Sequence, residues 1–312
     1  ARFLVTGGAG FIGSHIVEAL LARGDAVRVL DNFTSGHAEN LAHLTGAVEI
    51  MRGDVRDLEA VRGAVAGMEV VFHQAAVASV QASIDDPVTT LAINLAGTQH
   101  VLAAAREHGV RRVVFASSAA VYGNAPVLPA VETLPPAPIS PYAVHKLTGE
   151  YLCQLATTLY GLEAVALRYF NVFRPRQDPN SDYSGVISRF NQALTTGQRP
   201  IVFGDGEQTR DFVFVGDVAR ANLLAATAPE AVGRAINIAR GASVSLNAML
   251  RVMGELLGRE IQVEYRAPRP GDIVRSGADI TLARRVLGFE PAVSFEDGMR
   301  ATLASVGLSG KG

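Results

Sequence analysis

Three glycines spaced by two residues follow directly on a short apolar run and open a helical pattern, and few folds accommodate that order. Phe3-Leu4-Val5-Thr6 reads as a buried strand, Gly7-Gly8-Ala9-Gly10-Phe11-Ile12-Gly13 as a tight turn, and Ser14 to Arg23 as a helix closed at Gly24. Ala26-Val27-Arg28-Val29-Leu30 is a second strand, and it ends at Asp31. Strand, glycine turn, helix, strand and acid form a βαβ unit that binds a dinucleotide. The glycines let the backbone approach closely, so a pyrophosphate sits at the helix N-terminus. Asp31 selects among dinucleotides. A carboxylate there accepts hydrogen bonds from both adenosine ribose hydroxyls and repels a 2′-phosphate. The residues that follow, Asn32-Phe33-Thr34-Ser35-Gly36, contain no arginine. NAD is therefore expected rather than NADP.

The same alternation continues. Val48 to Val55, Val70 to His73 and Val110 to Ser118 read as strands, with a long helix from about Pro87 to Glu107 carrying Asn94 among apolar neighbours. The small residues after the fourth strand, Gln74-Ala75-Ala76, leave room for a flat ring or a ribose. Glu163 to Asn171 is a further strand. Strands alternating with helices at this spacing predict an α/β fold, a doubly wound parallel sheet of Rossmann type covered on both faces. Beyond Asn171 the elements are short and broken by glycine, apart from a strand and helix over 212–226 and a strand at Ala235 to Ala239. The expected organisation is a dinucleotide-binding domain over 1–171, rejoined by about 212–239, and a smaller mixed α/β substrate domain from the rest of 172–312.

Composition removes several classes of function. With 28 basic and 30 acidic residues the net charge is −2, and no basic block suggests nucleic acid. No apolar run approaches the roughly 20 residues that span a bilayer. The chain enters a strand within its first residues, so no signal peptide is expected. The single cysteine, Cys153, lies in a helical run beside Leu152 and Leu155 and reads as a packed thiol. A cytoplasmic location follows. His73 stands apart from other metal-ligating residues, so it reads as a strand-end histidine and no metal is expected.

Three residues carry the chemistry. Ser118 ends a strand at the sheet edge where α/β proteins gather ligands. After a loop rich in proline from Ala125 to Pro141, Ser140-Pro141 starts a helix with a hydroxyl cap and proline at its first position. Tyr142 and Lys146 follow four residues apart and so share one face of that helix. A tyrosine, with an ordinary pKa of about 10, is a poor base at neutral pH. A neighbouring ammonium and a positive nicotinamide ring favour the phenolate. Tyr142 can then take a proton from a substrate hydroxyl as the carbon loses hydride, with Ser118 holding the same oxygen and Lys146 the nicotinamide ribose.

These stretches resemble the extended short-chain dehydrogenase/reductase family, and within it the nucleotide-sugar 4-epimerases. The likeness covers Thr6 to Gly13, Asp31-Asn32, His73 to Ala76, Ser117 to Gly123, Tyr142 to Lys146 and Leu167 to Asn171. It continues in Thr209-Arg210-Asp211-Phe212 and Arg269-Pro270-Gly271-Asp272. It implies tightly held NAD, oxidation of a UDP-sugar at C4, and return of hydride to the opposite face. The cofactor contacts it implies are Gly7, Gly10, Phe11, Ile12, Gly13, Asp31, Asn32, Ser35, Gly36, Asp54, Val55, Gln74, Ala75, Ala76, Asn94, Tyr142, Lys146 and Phe170. For the substrate it implies Ser118 at the sugar, Asn171, Val186 and Phe203 against the nucleotide, Arg210 and Arg269 on the diphosphate, and Asp272 on the uridine ribose. It also implies a homodimer that pairs the helix near Asn94 and the helix of Tyr142 with their copies.

Residue differences within the family narrow the reaction. The related 4,6-dehydratases need an acid and a base just after the position of Ser118, where this chain has Ala119 and Ala120. A UDP-glucuronate 4-epimerase stays open, since one cation in the sugar pocket would suffice, and so does a net dehydrogenase that releases NADH, whereas intact Ser118, Tyr142 and Lys146 count against a redox-sensing binding protein without catalysis. Ser276, four residues after Asp272, stands where a bulky side chain would block an N-acetyl group. It favours UDP-GlcNAc and UDP-GalNAc, with UDP-glucose and UDP-galactose also accommodated, and Val172 to Asn180 and Ser243 to Leu250 resemble the acetylated-sugar branch. Arg174 stands where relatives usually carry glycine. If that position needs positive φ, the substitution costs about 1–2 kcal/mol.

Overall fold

The computed structural model describes residues 1–44, 46–173, 185–268 and 274–308. The first part alternates strictly: β1 (Arg2–Thr6), α1 (Phe11–Ala22), β2 (Ala26–Asp31), α2 (Glu39–Ala42), β3 (Val48–Arg52), α3 (Leu58–Val65) and β4 (Val70–His73). Next come α4 (Val80–Asp85), α5 (Pro87–Leu91), α6 (Gly97–Glu107), β5 (Arg112–Ser118), α7 (Pro141–Tyr160) and β6 (Glu163–Tyr169). The remainder is β7 (Asn171–Phe173), α8 (Val186–Thr195), β8 (Ile201–Phe203), β9 (Thr209–Phe214), α9 (Val215–Ala225), β10 (Ala235–Ile238), β11 (Ser243–Ser245), α10 (Leu246–Leu257), β12 (Glu264–Arg266), α11 (Thr281–Leu287) and α12 (Phe295–Ser305).

Seven strands form one sheet in the order β10-β6-β5-β4-β1-β2-β3, parallel throughout. This is the doubly wound Rossmann-like fold that the alternation predicts. Strand order reverses between β1 and β4, which places a ligand crevice at the carboxyl ends of those two strands. Leu4, Val5, Phe72, Val114, Val165 and Leu167 are fully buried within the sheet layers. Burial of each such side chain contributes about 1.5–3 kcal/mol.

A smaller lobe holds a three-stranded sheet, β11-β9-β7, and a two-stranded one, β12-β8. Its separate core gathers Phe173, Phe190, Phe212, Phe295, Met249, Met253 and Met299. Phe173 meets Phe212 edge-on at 6.1 Å between ring centroids. Residues 212–226 do not rejoin the large sheet as a strand and helix together. β9 pairs with β7 and β11 of the small lobe, whereas α9 packs on α1 and β10 adds beside β6.

Two element boundaries differ from the periodicity for physical reasons. α1 begins at Phe11, inside the glycine motif, because Gly10 already serves as its N-cap. The helix expected over 87–107 is interrupted at Ala92–Ala96 by one π-helical turn. Within that turn Asn94 is buried and its amide is bound twice by Val77, accepting from the backbone N–H at 2.8 Å and donating to the carbonyl at 3.0 Å. Wider turns of this kind concentrate at functional sites. Among the described residues no helix is long and apolar enough to cross a membrane, and no group of His, Cys, Asp and Glu gathers that could hold a metal ion. Cys153 is buried and its thiol is pushed up to about 12 by that burial.

Candidate active site

The crevice is built from loops that leave the strands at their carboxyl ends. Gly7, at φ +68°, ends β1, and a Cβ there would stand 2.7 Å from the backbone nitrogen of Ala75, which follows β4. Only glycine lets these two loops touch. No side chain caps α1 at Gly10, so its N-terminus is left to an anion. Asp31 ends β2, is buried, and reaches across the turn. Its Oδ2 accepts from the Ala9 N–H at 2.9 Å and its Oδ1 from the Phe33 N–H at 2.8 Å. The acid is thereby fixed beside the glycine turn with its remaining lone pairs available to hydroxyls.

Asn32 donates to Asp54 Oδ2 at 2.8 Å, and Arg56 forks onto the same carboxylate at 3.0 and 2.8 Å. The Arg56 hydrogen bonds hold the Asp54 carboxyl well below its ordinary value. Ser35 and Gly36 lie in the loop after β2, and Val55 follows Asp54 after β3. Gln74 donates to the Tyr169 hydroxyl at 3.1 Å, and Phe170 is buried just after β6. Cofactor candidates from five separate segments thus stand along one edge of the sheet. Asn94 differs from the rest, since its amide is committed to Val77. The set fits a dinucleotide with free ribose hydroxyls.

Tyr142 and Lys146 share the first two turns of α7, which Ser140 caps by accepting from the Ala143 N–H at 3.2 Å. α7 lies tightly on β5 because Gly149 faces Phe115, where a Cβ would stand 2.5 Å from the ring. Lys146 Nζ donates to the Ala116 carbonyl at 2.7 Å and sits 5.7 Å from the centre of the Tyr142 ring. Ser118 ends β5, accepts from the Ala120 N–H at 3.1 Å, and lies close enough to the Tyr142 phenol to oppose the effect of burial on it. The trio is therefore assembled. Burial pushes the Tyr142 phenol up, with Ser118 opposing, and burial brings Lys146 down to about 8. Among the protein's own groups, loss of solvent around the phenol dominates; the depression expected from Lys146 together with a nicotinamide ring concerns the cofactor-bound site. His73, beneath the site, bonds Thr6 Oγ1 at 2.8 Å and Thr98 Oγ1 at 2.9 Å through its two ring nitrogens. It is a strand-end histidine, held neutral by burial.

A cavity of about 730 Å³ opens in the small lobe, and Asn171, Val186, Phe203 and Arg210 all line it. These come from β7, α8, β8 and β9. Gln208, Arg189, Arg199 and Arg266 line it too and were missed in the sequence. Gln208, whose amide donates to the Phe203 carbonyl at 2.6 Å, stands two residues before Arg210, a signal that could have found it. The three arginines lie in stretches with no recognisable pattern. Ser276 sits apart from the cavity, its N–H on the Thr209 carbonyl at 3.1 Å. Arg174, Arg269 and Asp272 lie outside the described residues.

A doubly wound sheet with a glycine turn at its switch point and a Ser-Tyr-Lys trio at the next strand end defines a nicotinamide-dependent enzyme of the short-chain dehydrogenase/reductase type. Residues 3–239 match the model of the NAD dependent epimerase/dehydratase family, and the chain belongs to that family, with NAD as its cofactor. The UDP-glucose 4-epimerase of Mycolicibacterium smegmatis is 41% identical over 307 residues, 97% of each chain. Among solved structures, the UDP-N-acetylglucosamine 4-epimerase of Methanobrevibacter ruminantium, in complex with UDP-N-acetylmuramic acid, superposes with a TM-score of 0.93 at 39% identity over 97% of each chain. The Thermus thermophilus UDP-glucose 4-epimerase in complex with NAD gives 0.89 at 41% identity, covering 98% of this chain and 99% of that one.

Proposed function

We propose that this chain is a UDP-sugar 4-epimerase that accepts UDP-GlcNAc and UDP-GalNAc as well as UDP-glucose and UDP-galactose. The observation that carries the reaction type is the placement of Tyr142 and Ser118 beside a turn of plain methyl groups. Ala119 and Ala120 begin the 3₁₀ turn that follows Ser118 and offer no acid or base for elimination. The remaining proton chemistry is one transfer at one oxygen, which is what epimerisation needs. Similarity to enzymes named for UDP-glucose and UDP-N-acetylglucosamine epimerisation supports the same reading.

Bound NAD supplies the hydride acceptor and, in the return step, the donor. Tyr142 takes the proton from the sugar O4 and later gives it back. Ser118 holds that oxygen in both directions. Lys146, largely protonated at neutral pH and with its Nζ 5.7 Å from the centre of the Tyr142 ring, stabilises the phenolate. Arg210, with Asn171, Val186 and Phe203, holds the nucleotide and diphosphate in the small-lobe cavity while the keto sugar turns over. Asn94 acts on the cofactor through Val77, by fixing the loop after β4. We assign Arg269 and Asp272 to the diphosphate and uridine ribose from the family likeness alone.

Exposed apolar side chains line α4, α5 and the outer face of α7, among them Ile84, Val88, Leu91, Leu155 and Leu159. A second copy covering this face is the arrangement that would bury it, and sedimentation analysis checks it.

The decisive assay incubates the protein with UDP-glucose, UDP-GlcNAc and UDP-glucuronate and separates the products by chromatography. The expected products are the C4 epimers of the first two, without net NADH in the near ultraviolet. Net NADH would instead mark a dehydrogenase. Ser276→Tyr should abolish turnover of the acetylated sugars while sparing UDP-glucose. Equal loss on both would remove Ser276 from the sugar pocket.

A further inference from the structure

α7 presents Tyr142, Lys146 and Glu150 at successive turns of one face. Glu150 is buried and takes no part in the proton transfer. Its Oε1 accepts from the Ser117 hydroxyl at 2.5 Å and from Arg168 Nε at 2.8 Å, and its Oε2 from Arg168 Nη2 at 2.7 Å. The bonds continue past this ion pair. Arg168 Nη1 donates to the Tyr122 hydroxyl at 2.8 Å, and that hydroxyl donates to Asn237 Oδ1 at 2.7 Å. The Asn237 N–H donates to Glu132 Oε1 at 2.9 Å, and its Nδ2 to the carbonyls of Ala130 at 3.0 Å and Asp279 at 3.2 Å. Ala130 is itself bridged to the same segment, donating to the Gly277 carbonyl at 2.8 Å and accepting from the Asp279 N–H at 3.0 Å.

The segment reached in this way follows directly on Ser276, and the small lobe holds it from the other side. The Ser276 N–H donates to the Thr209 carbonyl at 3.1 Å, and its carbonyl accepts from the Ser243 hydroxyl at 2.7 Å. Asp211, next to Arg210, accepts from the N–H groups of Arg240 at 2.9 Å and Gly241 at 3.0 Å. Residues 276–279 are thus tied both to the helix that moves the proton and to the strand beside the nucleotide cavity. An apolar contact tolerates sliding, whereas a buried chain of hydrogen bonds is satisfied in one register. Tyr122 is the one member that accepts from the cation and donates to the amide, a pairing its hydroxyl alone makes possible.

We propose that Tyr122, Asn237 and Glu132 form a positioning relay that sets the register between the Tyr142 face of α7 and the 276–279 segment, so that the keto sugar returns within reach of Tyr142 after it turns over. The relay rests on the epimerase reading and on Ser276 bordering the sugar. These are positioning residues; none of them touches substrate.

The test compares Tyr122→Phe with Asp217→Asn. Asp217 holds the N–H groups of Ala292 and Val293 at 2.9 and 3.1 Å, away from the relay, and so supplies a control for lost stability. Tyr122→Phe should lower kcat about 10- to 100-fold, as a misplacement near 1 Å does, with little change in KM. Reduced cofactor should build up on the enzyme during turnover, read by its near-ultraviolet absorbance, because keto sugar is presented out of register. Asp217→Asn should lose thermal stability with native kcat. Glu132→Ala is the milder second variant, and Glu132→Gln should rescue it, since an amide oxygen still accepts the Asn237 N–H. Hydrogen–deuterium exchange at residues 277–279 should quicken in Tyr122→Phe and Glu132→Ala but not in Asp217→Asn or Glu132→Gln. Native kcat in both relay variants, or unchanged exchange at 277–279, overturns the proposal. If the native protein epimerises no UDP-sugar, the epimerase reading fails on that result, while the exchange comparison still decides the relay.

Discussion

The cofactor edge of the large sheet and the cavity of the small lobe are built in opposite ways. The glycine turn and Asp31 leave β1 and β2, whose carboxyl ends are buried, so the backbone there is fixed before any side chain acts. Asp31 and the glycine turn are set by β1 and β2, which pair in register from Arg2 with Ala26 to Thr6 with Leu30. In the small lobe, β7 and β8 have three residues each, and the cavity wall comes from β7, α8, β8 and β9 in turn. Its order rests on a phenylalanine cluster and on side-chain hydrogen bonds such as that of Gln208. A rigid frame holds the chemistry, and a set of short elements holds the substrate. Loss of a group should therefore affect kcat in the first region and KM in the second.

The sharpest way to break this comparison is Tyr142→Phe. Removing a positioned acid–base group costs about 10²- to 10⁴-fold in rate. The ring that packs in the site is retained, so UDP-sugar affinity by calorimetry should be close to native. If affinity falls as far as the rate, Tyr142 belongs to substrate binding as much as to chemistry, and the division between the two regions fails.

The same contrast explains what could be read in the chain. Long strands with apolar periodicity fix their own neighbours, and glycine at a close approach has no substitute, so the large sheet and the glycine turn at its edge were legible in the chain. The interruption at Asn94 was not, because the π turn is set by hydrogen bonds to Val77, 17 residues earlier, and leaves no mark in the local pattern. β9 was legible as a strand but not as a member of the small sheet, since three-residue partners such as β7 and β11 carry too little periodicity to announce a pairing. The environment of Tyr142 was only half legible. Spacing puts a lysine nearby, but the balance between its charge and the loss of solvent depends on burial that only the fold reveals. The arginines around the cavity other than Arg210 sit outside any motif, and they meet only through tertiary packing.

Arg210→Ala addresses the small lobe. A hydrogen bond to a charged group contributes about 1.5–3 kcal/mol, so KM for the UDP-sugar should rise about 10- to 100-fold with kcat within a few-fold of native. Steady-state kinetics separates the two constants. A variant that loses kcat at constant KM would place Arg210 with the proton chemistry and merge the regions the comparison keeps apart.

The smallest effect follows from two buried groups with opposite signs. His73, in the large sheet, titrates at about 3 when folded, because burial and then the Lys146 charge disfavour its cation, against an ordinary 6.5. Between those values the unfolded chain binds the extra proton. The stability it confers is complete above about 6.5 and is lost as pH falls, by roughly 2 kcal/mol at pH 5. Asp211, in the small lobe, is shifted the other way. Burial raises its carboxyl above the ordinary value, so the folded state holds a proton that the unfolded state has released, and acidification favours folding there. Native-state hydrogen exchange, corrected for intrinsic rates, should therefore lose protection at β1 and β4 before β9 as pH is lowered from neutral to 5. His73→Gln should flatten the response of β1 and β4. Equal loss of protection in both regions would mean that the two cores open as one unit, and the small lobe would then owe its order to the large sheet instead of to its own aromatic cluster.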